Sequence, residues 1–235
     1  YAFLNTINTP NRKIITAEDP VEYELSGINQ VQCDSSIGMT FSRALRAMLR
    51  QAPNVVMVGE IRDIETGEIA INAALTGHLV FSTLHTNDAP TAITRLVDMG
   101  VKPFLVASAV RAIMAQRLLR RVCKACATTI EATESELNAL ELPTDFFDDA
   151  ELKKGKGCPE CVRGYRGRLG IYEIFMIEQS IVKLIFDMAS SDIIKLRARE
   201  LGMRTLRDDG LRKAGAGVST LEEVIRITKA DEEEE

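Results

Sequence analysis

Val55-Val-Met-Val-Gly-Glu60 is a short apolar run, rich in β-branched residues, that stops on a glycine and then an acid. Two other stretches share this design. Lys13-Ile-Ile-Thr-Ala17 ends on Glu18-Asp19-Pro20, and Leu79-Val-Phe-Ser-Thr-Leu84 ends on His85. Short apolar runs bounded by breakers predict fully buried strands. Helical patterns separate them. Phe41 to Gln51 gathers Phe41, Ala44, Leu45, Met48 and Leu49 on one face and Arg43, Arg46 and Arg50 on another. Ile64 to Leu75 is a second helix, with Gly77 where a C-cap is expected. A third starts after Asn87-Asp88, with Pro90 in its first turn, and ends at Gly100. Pro103 opens a fourth that is expected to run to about Arg121. Strands alternating with helices predict an α/β layer built on a largely parallel sheet. In such sheets ligands bind beyond the carboxyl ends of the strands, and here those ends carry acids and a histidine.

The 235 residues allow one large domain, or one domain plus a smaller module, and 46% apolar content is enough for a real core. No apolar stretch approaches the roughly 20 residues needed to span a bilayer, and no charged-then-apolar signal opens the chain. The expected compartment is the cytoplasm. Tyr1-Ala-Phe-Leu4 has neither a Met nor a helix start signal and reads as the middle of something longer. The net charge of -5 comes from the last five residues, 231–235, all acidic; the body before them balances 29 bases with 29 acids. That run reads as a solvated tail. The neutral body argues against a broad nucleic-acid footprint.

Composition shifts after Arg120. Residues 131–152 hold eight acids and no base, between basic flanks, which predicts an inserted module. Thr133-x-x-Glu136 gives its one short helix a capping box. Arg168 to Phe175 reads as a strand returning to the main body, and the remainder is helical. One helix starts at Ser190 or Ser191 and ends at Gly202, and Ser219-x-x-Glu222 is expected to cap another.

Four of the five cysteines form two pairs, Cys123-x-x-Cys126 and Cys158-x-x-Cys161. Two C-x-x-C turns can complete a tetrahedral all-thiolate Zn2+ site with no open position, hence a structural one. The 31 residues between the pairs require the insert to fold back. Gly155, Gly157, Pro159 and Gly164 supply turn chemistry around the second pair. Cys33 reads as an ordinary thiol.

The acids at the strand ends are Glu18, Asp19 and Glu22 in Glu-Asp-Pro-Val-Glu, and Glu60 ahead of Ile61-Arg62-Asp63. Hydrolysis of a nucleoside triphosphate needs carboxylates to hold magnesium and to orient the attacking water. One acid after a strand is more often a helix cap; two such clusters in one α/β chain favour the catalytic reading. The two histidines, His78 and His85, bracket the third strand and suggest sensing of the γ-phosphate or coupling of hydrolysis to motion. Arg43, Arg46, Arg50 and Arg62 are candidates for supplying charge to a neighbouring subunit's nucleotide.

Taken together, these motifs resemble those of the secretion ATPase superfamily that powers type II secretion and type IV pili. Ile15-Thr-Ala-Glu-Asp-Pro-Val-Glu22 is similar to its Asp box. Val55-Val-Met-Val-Gly-Glu-Ile-Arg-Asp63 looks like its atypical Walker B motif, with Gly59 where other ATPases place an Asp. Thr76-Gly-His-Leu-Val-Phe-Ser-Thr-Leu-His-Thr-Asn-Asp88 resembles its His box, and Gly167 to Glu173 and Gly202 to Gly210 are also family-like. The resemblance implies a RecA-like P-loop NTPase core, ATP and Mg2+ at subunit interfaces, and a homo-hexamer. It also implies inner-membrane platform and cytoplasmic accessory partners, a place on the cytoplasmic face of the inner membrane, and no nucleic acid. It implies Glu60 as general base and Glu18 as magnesium-site or catalytic partner, with His78 and His85 near phosphate; Asp19, Glu22 and Arg62 join Glu18 as candidate nucleotide-site residues on the residue reading above. The tetracysteine module is similar to that of secretion and extension motors.

No G-x-x-x-x-G-K-[ST] occurs in the 235 residues. The resemblance therefore implies a core (1–120) lacking its N-terminal strand and phosphate loop, a zinc module (121–166), a returning strand with a helical C-terminal region (167–229) and an acidic tail (230–235). A non-catalytic assembly fragment and a RecA-like DNA motor are the alternatives.

Overall fold

The computed structural model describes residues 1–229; the acidic tail lies outside the described residues. In chain order the elements begin α1 (Ala2–Ile7), β1 (Ile14–Glu18), β2 (Asn29–Gln32), α2 (Phe41–Leu49), β3 (Val55–Val58), α3 (Ile64–Leu75) and β4 (Leu79–Ser82). They continue with α4 (Thr91–Asp98), α5 (Pro103–Ala109), β5 (Ala112–Val122), β6 (Ala127–Thr129), α6 (Glu134–Ala139), β7 (Lys153–Gly155) and β8 (Tyr165–Met176). The last four are α7 (Gln179–Phe186), α8 (Ser191–Glu200), α9 (Leu206–Gly215) and α10 (Leu221–Lys229). They form two compact units. The first comprises Tyr1–Thr86, Pro90–Arg111 and Ile177–Ile194; the second comprises Asn87–Ala89, Ala112–Met176 and the described residues from Lys195 onward.

The first unit is built on an all-parallel sheet of order β2-β1-β3-β4, as the three apolar runs predict. β1 is buried along its whole length and β3 nearly so, so both faces must be covered, which is why these runs are apolar without alternation. On one face Ile14 and Val55 pack with Leu4 of α1 and with Ile28, flanked by Met57 and Phe81. Strand alternation sends Ile15, Ala17, Val56 and Val58 to the other face, where α2 packs on β1 and β3. The buried stripe of α2 is Ser42, Ala44, Leu45 and Met48, close to the predicted one. β4 pairs with β3 on one edge only among the described residues, and its Leu79 is 47% exposed. β2 was not legible in the sequence: Asn29-Gln-Val-Gln32 has one apolar residue and is an edge strand.

The helix expected from Pro103 to about Arg121 stops at Ala109, and Ala112–Val122 is a strand, β5. Its Ala, Met, Gln, Arg and Leu residues favour helix locally. Antiparallel pairing with β8, from Ala112 opposite Met176 to Arg120 opposite Arg168, overrides that preference. Alternation supplies the gain. Leu119, Ile171, Glu173 and Phe175 are buried, whereas Met114 and Leu118 stay about two-fifths exposed on the opposite face.

The second unit's core joins Leu119 and Ile171 of this ribbon to Leu206, Leu211 and Ala214 of α9 and to Leu221 and Val224 of α10. Leu140 and Leu152 of the acidic insert belong to the same core. The insert's helix α6 carries the predicted Thr133–Glu136 capping box. For α10 the cap differs from expectation by one residue: the Glu223 amide donates to Thr220 Oγ1 at 3.2 Å, while Ser219 Oγ donates to the Arg120 carbonyl at 2.9 Å.

That shift turns Glu223 inward. It is fully buried and accepts hydrogen bonds from Arg226 Nε and Nη2 at 2.8 and 2.9 Å, from the Arg120 amide at 3.0 Å, and from the Arg120 guanidinium. The Arg120 guanidinium also lies 4.2 Å from the centre of the Tyr165 ring. Burial works to raise the Glu223 pKa, but Arg226 and Arg120 outweigh it and bring it down to about 2. A depressed carboxyl adds stability that is present above its unfolded pKa and lost as pH falls through the folded one. From the two pKa values this linkage is on the order of 3 kcal/mol, lost between about pH 4.5 and pH 2. Glu223→Gln should lower the denaturant midpoint at pH 7 and flatten the acid limb of the stability curve. A variant with an unchanged midpoint at pH 7 would show that the buried network contributes no net stability.

Candidate functional site

The parallel register decides where the chemistry sits. Ala17 pairs with Val58, and Val58 with Ser82, so the chain leaves β1, β3 and β4 on one edge of the sheet, side by side. Hydrogen bonds continue past the strand ends. The Gly59 amide donates to the Ala17 carbonyl at 2.7 Å, the Ile61 amide to the Thr83 carbonyl at 3.1 Å, and Thr83 Oγ1 to the Gly59 carbonyl at 2.6 Å. A Cβ at Gly59 would lie 3.2 Å from the Ala17 oxygen and 3.5 Å from the Phe41 ring. An Asp there would have to displace backbone. The glycine lets β3 run close past β1 and deliver Glu60 to the tip.

Glu60 keeps its carboxylate 12% exposed and engages both oxygens. Oε1 accepts from Arg62 Nη2 at 2.7 Å and Oε2 from His85 Nε2 at 3.0 Å. Foremost the Arg62 hydrogen bond, and then His85, hold the Glu60 carboxyl below the usual carboxylate range. Arg62 itself is raised, by its bond to Glu60 first and by the charge of Asp19 last. Asp63, next in sequence, caps α3 by accepting from the Thr66 amide at 2.8 Å.

Glu18 is placed differently. It is buried, and its carboxylate accepts from the hydroxyls of Tyr1 and Thr16 and from Gln30 Nε2 at 3.0 Å. The Tyr1 hydroxyl in turn accepts from the Glu22 amide at 3.1 Å. Glu18 therefore ties the Asp19–Glu22 loop to the sheet, while Asp19 and Glu22 are themselves exposed. Tyr1, Thr16 and Gln30 were not anticipated; only the mixed polar and apolar character of Ile14-Ile-Thr-Ala-Glu18 hinted at an inward polar group.

The two histidines part company. His85 stands beside Glu60, whereas His78 lies at the amino end of β4, where its Nδ1 donates to the Ala73 carbonyl at 3.0 Å near the end of α3. Arg46 pairs with Glu65 at 2.6 Å, and Arg43 Nη1 donates to the Gly38 carbonyl at 3.2 Å. Another group missed in the sequence is Glu173. It is buried in the second unit and accepts from the Ala89 amide at 2.8 Å, and burial pushes its carboxyl up.

The four paired cysteines converge. Their sulfurs all lie within 4.8 Å of one another, with Cys123–Cys158 at 3.9 Å, Cys126–Cys161 at 3.8 Å and Cys158–Cys161 at 3.6 Å. These spacings exceed a disulfide bond by far. They match the ~3.8 Å edge of a tetrahedron with metal–sulfur bonds of about 2.3 Å, so the residues present fit zinc. Close backbone packing sets the convergence. Cys123 N–H donates to the Gly164 carbonyl at 2.9 Å and Lys156 N–H to the Cys126 carbonyl at 3.0 Å. A Cβ on Gly155 would fall 2.2 Å from the Gly164 oxygen, so no side chain fits where the two turns meet. Cys33 is apart from the cluster, buried, its thiol pushed up by burial.

Comparison with known proteins bears on the family and the fold. A family model described as "Type II/IV secretion system protein" matches residues 1–226. Type II secretion system protein E of Pseudomonas aeruginosa is 50% identical over 232 residues, 98% of this chain and 46% of that protein. The type IV pilus assembly ATPase PilB of Thermus thermophilus is 50% identical over 229 residues, 97% of this chain and 26% of that protein. The crystal structure of the pilus retraction motor PilT with bound ADP is similar with a TM-score of 0.70 at 28% identity, over 99% of this chain and 57% of that one. The Legionella pneumophila ATPase DotB, with a TM-score of 0.65 at 21% identity, shares the fold. The chain thus spans about half, or less, of the length of the curated relatives it matches. A RecA-like α/β fold on a parallel sheet, a family model matched over nearly all of its length and close relatives among secretion and pilus proteins place this chain in the type II/IV secretion system protein family.

Proposed function

We propose that the chain is the carboxylate-bearing part of a motor subunit that hydrolyses ATP to drive type II protein secretion or type IV pilus assembly. The observation that carries this reading is Glu60, delivered by a buried parallel strand to the ligand-binding edge of the sheet and bonded there to His85 from the next strand. Glu60 is the general base that orients and deprotonates the attacking water. His85 holds the second carboxylate oxygen and so fixes the angle at which the first meets the water. Bound magnesium would neutralise phosphate charge, and the exposed Asp19 and Glu22 are the carboxylates open to it. Glu18, with its oxygens committed to Tyr1, Thr16 and Gln30, acts by fixing that loop.

A phosphate cradle is not among the 235 residues, so ATP turnover belongs to a chain that also carries one. Among the described residues no strand pairs with the outer edge of β4, which supports this reading, since a further strand could pair there. The working form is a homo-hexamer with ATP at subunit interfaces, docked on an inner-membrane platform protein and cytoplasmic accessory proteins. No described helix is long and apolar enough to cross a membrane, which suits a peripheral attachment. A tetracysteine centre favours secretion or pilus extension over retraction, as does 50% identity to the two assembly proteins beside 28% to PilT. The sulfurs of Cys123, Cys126, Cys158 and Cys161 hold structural Zn2+.

Elemental analysis of freshly purified, unchelated protein should find one zinc per chain, unchanged in Cys33→Ser and lost in Cys158→Ser. Structural zinc is worth on the order of 10–16 kcal/mol in small peptides, so chelation should also loosen the second unit. Well under one zinc per chain would sink the metal assignment.

Turnover should be negligible for the chain alone and substantial for a form extended upstream through a phosphate loop. In that extended form Glu60→Gln should lower turnover by a hundredfold or more, on the order of the usual general-base contribution, while leaving ATP affinity within a few-fold. Half the normal rate in Glu60→Gln would remove Glu60 as the base. Equal activity with and without the added segment would overturn the placement of the missing cradle.

A further inference from the structure

Glu60 is anchored in two unlike ways. Its backbone is pinned on both sides, by the Gly59 bond to β1 and by the Ile61 and Thr83 bonds toward the end of β4. Its carboxylate is held by two side chains that are largely in water, Arg62 at 61% exposed and His85 at 85%. Arg62 sits between buried Ile61 and Asp63, the cap of α3, so its backbone is held on both sides while its guanidinium stands in solvent. Among the described residues that guanidinium bonds to Glu60 alone, with the Asp19 charge nearby.

This arrangement is ill suited to a general base at work. Each Glu60 oxygen already accepts a hydrogen bond, one of them from a guanidinium, which competes with water for the carboxylate and draws off the basicity a general base needs. Exposed ion pairs are weak and readily exchanged, and a phosphate offers a guanidinium the same forked geometry as a carboxylate with more charge.

Resting on the reading of Glu60 as base, we propose that Arg62 is a substrate-operated latch: it occupies Glu60 while no polyphosphate is present and transfers to the polyphosphate on binding, which frees Glu60 for the water. Arg62 is thereby a positioning residue for Glu60 and a phosphate contact in alternation. Binding energy from phosphate drives the release, so hydrolysis is armed only when substrate is in place. The coupling is reciprocal: whatever holds Arg62 on Glu60 weakens polyphosphate binding by the same factor.

The test uses the form extended upstream through a phosphate loop, so that the cradle is present, and carboxyl-carbon NMR of Glu60, assigned with Glu60→Gln. The charged groups that face the carboxylate are Arg62 on its own segment and His85 from beyond the end of β4, with Asp19 acting on Arg62. Arg62→Gln should raise the Glu60 titration midpoint by about half a unit or more, a roughly threefold change in proton affinity; Arg62→Lys should raise it less, and His85→Gln separates the histidine's share. Inorganic tripolyphosphate, titrated into the millimolar range, should raise the wild-type midpoint and raise that of Arg62→Gln distinctly less. It should also move the Arg62 side-chain nitrogen signals. An unmoved midpoint in Arg62→Gln overturns the latch. Equal rises in wild type and Arg62→Gln overturn the transfer, because the ligand's own charge would then suffice. No rise and no Arg62 shift with tripolyphosphate overturn it too. None of these readouts depends on turnover, so the latch and the assignment of Glu60 as base fail separately.

Discussion

The parallel register of β1, β3 and β4 is the constraint from which the site follows. Parallel pairing carries the ends of three strands to one edge, and the Gly59 amide bonded to Ala17 prolongs the ladder one residue past the last regular pair. A buried strand gains nothing from an acidic tip, since an unpaired charge is costly to desolvate. The acid is tolerable at Glu60 because the strand has already emerged and two cationic or polar partners meet it. Glu18 sits one step further in and is tolerable only because two hydroxyls and an amide satisfy its oxygens.

Three carboxylates in this chain show how partner mobility, rather than burial alone, separates structure from chemistry. Glu223 is sealed between two arginines and a backbone amide, and changing its charge state means breaking a core. Glu18 is satisfied by neutral donors on rigid strands and on the Tyr1 ring. Glu60 has the most exposed partners of the three, Arg62 at 61% and His85 at 85%, and its own side chain reaches solvent where that of Glu223 does not. A carboxylate at the surface can exchange such partners without opening a core.

Much of this was legible in the sequence, for identifiable reasons. Continuous apolar runs, two ending in acids and one in a histidine, gave three strands, their parallel arrangement and the edge carrying Glu18, Glu60 and His85. Paired C-x-x-C spacing gave the sulfur cluster. Other features depend on distant contacts. Ala112–Val122 is made of good helix formers and becomes a strand only because Tyr165–Met176, some fifty residues on, offers a complementary ladder. His78 and His85 look equivalent on either side of one strand, yet a four-residue strand sends them to opposite ends of it. The cap of α10 moved from Ser219 to Thr220 because Ser219 is drawn to the Arg120 carbonyl, a partner a hundred positions away in practice invisible to local pattern.

The sulfur cluster extends the same logic to a metal. Its geometry does not come from the cysteines, whose C-x-x-C turns are compatible with many separations. It comes from two glycines in direct contact, Gly155 and Gly164, and from the backbone bonds that lock one turn against the other. The insert between the turns is anchored independently, through Leu140 and Leu152 in the core shared with β5, β8, α9 and α10. Because Cys123 follows Arg120 by three residues, the segment that presents the first sulfur is the one whose guanidinium and amide the buried Glu223 holds. A metal held by the four sulfurs would therefore brace the same strand end as the buried ion network, and loosening either should be felt at the other.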